Sequence, residues 1–154
     1  MVTGTFPLNV HGTYPLKLDA KGRFFLPSKL RGDLAGDLFA VIGQERCVYI
    51  FTPSGYAQFT SDLQTASNMF EDVRSYRRVV GAGTFDTKTD SQFRIAVPPP
   101  LREYARLERD VVVIGAIDRV EIWDQQLWDQ YFATQLPLYR DINKQIGKPQ
   151  GGAQ

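Results

Sequence analysis

DAKGRFFLPSKLR, Asp19 to Arg31, is written a second time as DSQFRIAVPPPLR, Asp90 to Arg102. Both copies carry an Asp-x-x-x-Arg turn, a short strand closed by proline, and a Leu-Arg pair. The match widens on each side. GTYPLKLDAKGRFFLPSKLR (12–31) aligns without a gap on GTFDTKTDSQFRIAVPPPLR (83–102). With one further residue of offset, VIGQERCVYIFTPSGYAQF (41–59) lies on VIGAIDRVEIWDQQLWDQY (113–131), Tyr56 falling on Trp128. A unit of roughly 45 residues written twice calls for a repeat reading before any other, and two copies are too few for a solenoid. The expectation is duplication inside one fold, a pseudo-dimer in a single chain.

Within one unit the pattern reads strand, turn, strand, short helix, strand, turn, strand, helix. TYPLKL and RFFLP are β-rich runs around DAKG, with Asp first and Gly fourth as a type I turn prefers. Ser28 suits a helix N-cap and Gly36 a stop. LFAVIG and VYIF flank QERC, while VVVIG and VEIW flank AIDR, which predicts two hairpins of equal length. Thr52 with Pro53 predicts one helix start, and Asp124 before QQLWDQYFATQL another. Residues 58–80 carry Phe59, Leu63, Phe70, Val73 and Val80 at near-helical intervals, a helical linker with a break. The tail KQIGKPQGGAQ has nothing to bury and is expected to be disordered.

Four short strands with one apolar face cannot close a core alone, because isolated hairpins are marginal in water and edges must be covered. Two units that interleave their hairpins solve both problems; two small domains side by side are the alternative. The fold class expected is α+β, mainly β, with a tandem internal repeat. The expected bounds are a first domain at 13–55, a helical linker at 56–83, a second domain at 84–126, and a C-terminal helix and tail at 127–154.

Composition narrows the function classes. The 154 residues are 43% hydrophobic and 23% charged, which reads as soluble and globular. Cys47 is the one cysteine, so no disulfide framework forms within the chain and a reducing cytosol is the expected home. MVTGTFPLNVHGTY has no basic leader region, and no apolar run approaches the length of a membrane span. His11 is the one histidine and sits in an arm or first strand, a poor base for a nucleophile. Cys47 at a strand start reads as a small buried hydrophobe. Asp110, Asp118, Glu121 and Asp124 are explained by a polar strand face and a helix cap. Zinc-type Cys/His spacing, phosphate loops and dinucleotide fingerprints do not occur in the sequence. No enzyme, metal, cofactor or small-molecule substrate is expected.

The charge is uneven although the net value is only +1. Residues 12–31 hold Lys17, Lys21, Arg23, Lys29 and Arg31 against Asp19 alone. The second copy has Lys88, Arg94 and Arg102 against Asp86 and Asp90. Alternation puts Lys17 and Arg23 on one face near the turn, with Lys21 at its tip. A β-ribbon with such side chains fits the DNA major groove, where arginine pairs with guanine and lysine holds phosphate. The opposing reading is a solvated hairpin with a modest Asp19–Arg23 ion pair.

Leu-Asp-x-Lys-Gly-Arg, then Leu-Pro and Leu-Arg, then Asp-x-x-x-Arg, Pro and Leu-Arg-x-Tyr-Ala, then VVVIGAIDRVEIWD closely resembles the MraZ family. The resemblance runs from Gly12 to about Tyr131. It implies a bacterial transcriptional regulator, a repressor of its own division and cell-wall gene cluster, found on the cytoplasmic nucleoid. It implies an AbrB-like double swapped-hairpin barrel with flanking helices, and ring-shaped homo-oligomers, octamers or dodecamers, that bind repeated boxes in double-stranded promoter DNA. Its DNA-binding positions fall on Lys17, Asp19, Lys21 and Arg23, and on Lys88, Asp90 and Arg94. An AbrB-like antitoxin-type partner and a ring that binds protein rather than DNA are the competing readings. In the second motif the family has glycine before its arginine, where this chain has Phe93; a phenylalanine resists positive φ, so that turn is expected to change shape.

Overall fold

The computed structural model describes residues 8–146. They form two compact units, one ending at Asp124 and the other beginning at Gln125. The first unit holds the strands of both repeats. Copy one supplies β1 (Val10–Lys17), β2 (Arg23–Phe25), a 3-10 turn (Ser28–Leu30), β3 (Asp37–Ile42) and β4 (Val48–Phe51). Copy two supplies β5 (Thr84–Lys88), β6 (Arg94–Ala96), α3 (Pro99–Tyr104), β7 (Asp110–Ile117) and β8 (Val120–Asp124). Between them run α1 (Pro53–Thr65) and α2 (Glu71–Ala82), the broken helical linker that the apolar spacing predicts.

Strand pairing crosses the repeats. Six strands form one sheet in the order β1-β7-β8-β4-β3-β5, and β2 pairs with β6 as a separate ribbon. Each copy keeps its own hairpin, β3 with β4 and β7 with β8, but lends its first strand to the other copy: β1 pairs with β7, and β5 with β3. The lent strands lie at the two ends of the order, and β4 meets β8 at its centre. An approximate two-fold therefore passes between β4 and β8 and between Phe24 and Ile95, the middle pair of the ribbon.

One core serves both copies. Phe24, Leu26, Leu38 and Ile50 from the first cluster with Ile95, Val97, Val111 and Ile122 from the second, all of them buried. Each copy contributes about half of one apolar layer, so neither is expected to stand alone. On the other face of β3 and β4 a second aromatic layer forms. There Phe59 of α1 stacks on Phe51 at 4.7 Å, and Tyr56 lies 4.7 Å from Phe39. α1 starts as the sequence indicates, with the Thr52 hydroxyl accepting from Gly55 N–H and Pro53 at the first position.

Three expectations need correction. The hairpins differ: β3 and β4 are joined by the five residues 43–47, β7 and β8 by Asp118 and Arg119 alone. The second is closed by a γ-turn, Asp118 N–H to Ala116 O, that holds Ile117 at φ +73. This shortening also breaks the VIG-on-VIG alignment. Ala40 faces Ile50 and Val113 faces Ile122, so Ala40, not Val41, is the counterpart of Val113. A one-residue slip turns a strand over, and Val41 accordingly lies outside the shared core although it is buried. Second, Ser28 does not cap by its side chain; Pro27 precedes a three-residue 3-10 turn. Third, Glu121 is not on a polar strand face. It is buried, its carboxylate bonded by the Arg119 guanidinium at 2.9 Å and by the Trp123 indole N–H at 2.9 Å, which is how a buried charge is tolerated.

The second unit begins with α4 (Gln125–Ile146), a helix that contains Pro137. Lys144 to Ile146 of the expected tail are its last residues, and the remainder of that tail lies outside the described residues. Among the described residues no helix is long and apolar enough to cross a membrane.

Candidate nucleic-acid interface

Each Asp-x-x-x-Arg turn is built by one carboxylate. Asp19 Oδ1 accepts the backbone N–H of Lys21 at 2.9 Å and of Arg23 at 2.9 Å, while Oδ2 accepts Arg23 Nε at 2.8 Å. Asp90 Oδ1 accepts from Gln92 and Arg94 N–H at 2.9 and 2.8 Å, and Oδ2 accepts Arg94 Nε at 2.9 Å. Main-chain bonds match as well: Asp19 N–H to Arg23 O and Gly22 N–H to Asp19 O recur as Asp90 N–H to Arg94 O and Phe93 N–H to Asp90 O. The expected change of shape at Phe93 does not occur. Phe93 takes φ +62 where Gly22 takes +77, and the same aspartate bonds hold the turn in both copies.

Those bonds set the protonation of both aspartates. The backbone N–H of Arg23 is the largest influence holding the Asp19 carboxyl below the ordinary range, opposed by partial desolvation and helped by the Arg23 side chain. For Asp90 the backbone N–H of Arg94 leads in the same direction. Both are anionic at neutral pH, and each orients one arginine. The Asp19–Arg23 ion pair of the opposing reading is therefore present. It engages only Nε of the guanidinium, and among the described residues the Nη groups of Arg23 and Arg94 make no hydrogen bond.

A residue from the opposite copy rests on each turn. Arg31 Nε donates to Leu26 O at 2.9 Å and Arg102 Nε to Val97 O at 3.0 Å, the same anchor twice. From there Arg31 reaches the second turn, its guanidinium carbon 4.6 Å from the centre of the Phe93 ring. Arg102 covers the first turn so closely that a Cβ on Gly22 would stand 2.5 Å from its guanidinium carbon. Glycine is needed at 22 for space.

The ribbon register, Arg23 opposite Ala96 and Arg94 opposite Phe25, places the two arginines symmetrically about its centre. A groove of about 750 Å³ runs beside it, lined by Lys17, Asp19, Arg23, Arg94, Arg102 and Arg109 among others. Of the sequence-derived candidates it unites Lys17, Asp19, Arg23 and Arg94. Lys21 is exposed at the first turn, and Lys88 is exposed at the end of β5, opposite Asp37. Lys17, at the end of β1, is held by Asp110 at 2.5 Å. Arg102 and Arg109 are additions that residue choice by motif passed over, although the repeated Leu-Arg pair was a visible signal for the first. His11 is exposed on β1, and Cys47 is fully buried, where desolvation pushes its thiol pKa up.

Comparison with known proteins shows which family the chain belongs to. The family model described as "MraZ protein, putative antitoxin-like" matches residues 10–79 and again 81–145. The chain is 42% identical over 131 residues to the transcriptional regulator MraZ of Cutibacterium acnes, covering 85% of this chain and 92% of that one. It is 43% identical over 135 residues to the transcriptional regulator MraZ of Thermobifida fusca, covering 88% and 94%. The protein of the same name from Micrococcus luteus is 42% identical over 135 residues, with the same coverage. With two family matches falling on its two interleaved repeats, this chain belongs to the MraZ family.

Proposed function

We propose that the protein is a sequence-specific DNA-binding transcriptional regulator that represses its own division and cell-wall gene cluster from the cytoplasmic nucleoid. The observation that carries the reading is the pair of arginines about the ribbon's two-fold, each held through Nε by an aspartate so that its outer fork is set in advance. A fork of that kind matches the two major-groove acceptors of guanine, and Lys17, Lys21 and Lys88 suit the flanking phosphates. The relatives' names, transcriptional regulator, support it. The lent strands support an AbrB-like swapped-hairpin module spanning 13–55 and 84–126, and ring-shaped homo-oligomers would present many such modules to repeated promoter boxes.

The test is a gel shift with the region upstream of the protein's own gene. Wild type is expected to shift that DNA and to lose affinity with salt, by about −0.9 in the log-log slope for each phosphate neutralised. Arg23→Ala is expected to keep its mass on a sizing column and lose the shift. Absence of a shift in the wild type, or a shift that ignores salt, overturns the reading. The words "antitoxin-like" in the family description favour a second one, a DNA-binding partner of a toxin. Co-purification of a toxin encoded beside the gene would decide for it.

A further inference from the structure

The turns repeat each other bond for bond, but the surroundings of their arginines do not repeat. Arg23 follows Gly22 and lies opposite Ala96, two residues with almost no side chain. Arg94 follows Phe93 and lies opposite Phe25. Both phenylalanines reach solvent, Phe25 at 58% exposure and Phe93 at 41%.

Phe25 is not part of the shared core. Its neighbours Phe24 and Leu26 are buried in the shared core, so alternation turns Phe25 outward. Directly opposed residues of an antiparallel pair share a face, which puts its ring beside the Arg94 side chain. The ring also lines the groove that holds Lys17, Arg23, Arg94, Arg102 and Arg109. Phe93 keeps a positive φ that L side chains adopt at a cost, and its ring is held by Arg31 rather than folded away.

Five cations line that groove against Asp19 and Glu108, with Asp90 and Asp110 bonded to two of them from its edge, and the remaining positive charge favours a polyanion over an apolar protein surface. On a duplex, the apolar feature that stands among the base edges of the major groove is the C5-methyl of thymine. Cytosine offers no methyl there, and its exposed amine would lose water against a ring without an acceptor.

We propose that Phe25 and Phe93 make the second turn a reader of thymine C5-methyl groups next to the guanine contacted by Arg94, a contact that the first turn, with Gly22 and Ala96, cannot make. The two half-sites are then unequal, and the module has one orientation on its operator. This deepens the DNA-binding reading above and rests on it.

Deoxyuridine in place of thymidine deletes the methyl and leaves pairing and charge intact. Affinity for the upstream fragment is measured with all thymines or all uracils, for wild type, Phe25→Ala, Phe93→Gly and the double variant. Wild type is expected to lose about four-fold per contacted methyl on uracil DNA, the share of one buried methyl-sized group. Each single variant is expected to bind thymine DNA more weakly and to lose part of that difference; the double variant binds both DNAs alike. Equal binding of both DNAs by wild type overturns the proposal without any variant having to fold. So does a double variant that keeps the full difference. A changed mass on a sizing column with the difference intact assigns the rings to contact between copies, and also overturns it. Wild type that binds neither DNA overturns the DNA-binding reading itself, a result distinct from equal binding.

Discussion

The turn at Asp19 and the turn at Asp90 make the same set of hydrogen bonds with lengths that agree within about 0.1 Å, one around a glycine and one around a phenylalanine. The comparison separates two jobs that glycine is commonly given together. Positive φ is imposed by the aspartate's bonds to the next amides, and a phenylalanine submits to it. Space is a different matter: Arg102 lies where a side chain on residue 22 would go, whereas Arg31 meets the ring of Phe93 at stacking distance. So the first turn needs glycine because of its neighbour, and the second has exchanged the gap for a ring.

The comparison presumes that the two copies are one body, and the largest effect tests that. Phe24 and Ile95 face each other at the ribbon's centre, both fully buried. Phe24→Ala is expected to cost about 3–5 kcal/mol and Ile95→Ala about 2–5 kcal/mol, the range for emptying a packed core site. Urea unfolding of either variant is expected to stay one transition, because the damaged cluster belongs to both copies. A curve with two steps, one copy surviving the other, would break the comparison at its root.

Next in size is the exchange of tip residues. Gly22→Ala is expected to cost about 1–2 kcal/mol for an L-residue at positive φ, with displacement of Arg102 on top. Phe93→Gly is expected to fall within about 0.5 kcal/mol of wild type, since relief of the strained φ is set against a lost cation–π contact and a freer unfolded chain. Thermal melts of the two variants decide. If Gly22→Ala proves as mild as Phe93→Gly, Arg102 is not the reason glycine stands at 22.

Much of this was legible in the sequence, because the repeat fixes which strands exist and the alternation fixes which residues face inward. What escaped was long-range or cancelled locally. VIG matched VIG, yet a residue lost in the second hairpin slid one strand and turned Val41 away from the core that Val113 enters. The charge on Glu121 suggested a solvated position, and only the fold brings Arg119 and Trp123 to satisfy it indoors. Phe93 suggested a distorted turn from its own preferences, but the competing bonds come from Asp90. At the candidate interface the arginines and aspartates were found from their spacing. Arg109 carried no such mark, and the Leu-Arg repeat that marks Arg102 does not say which turn it meets, because both reach the groove only when the copies interleave.

Acid should affect the two turns equally. Asp19 and Asp90 have carboxyl pKa values lowered below the unfolded value of about 3.9, chiefly by the backbone N–H of the arginine each one holds. A depressed folded pKa means stabilisation that is complete above the unfolded value and lost as pH falls through the folded one. These groups therefore contribute their full stabilisation between about pH 5 and pH 7, where the melting temperature is not expected to vary with pH on their account, and it is expected to fall below about pH 4. Asp19→Asn and Asp90→Asn should each flatten that acid limb by a similar amount. A limb left unchanged in one of them would show that its carboxylate does not hold the turn in solution.

The smallest effect lies at the strand ends, where the copies differ in one ion pair. Lys17 opposes Asp110 and Lys88 opposes Asp37 at matching places in the sheet, and Lys17 is bonded to Asp110 at 2.5 Å. Both partners of that bond are largely exposed, so it adds little to stability, and Asp110→Asn is expected to melt with wild type. Its consequence should appear on DNA. A lysine held by a carboxylate must leave it to reach a phosphate, and removing the carboxylate's charge removes that competition. Asp110→Asn is expected to bind the upstream fragment roughly two- to five-fold more tightly at low salt, the scale of one exposed ion pair. The gain should shrink as salt screens both contacts. Asp37→Asn is expected to gain less, because no ion pair between Asp37 and Lys88 is formed among the described residues. Affinity unchanged in Asp110→Asn but lowered in Lys17→Ala would mean that Lys17 reaches the backbone despite its partner. Affinity unchanged in both would remove Lys17 from the interface and leave recognition to the turns.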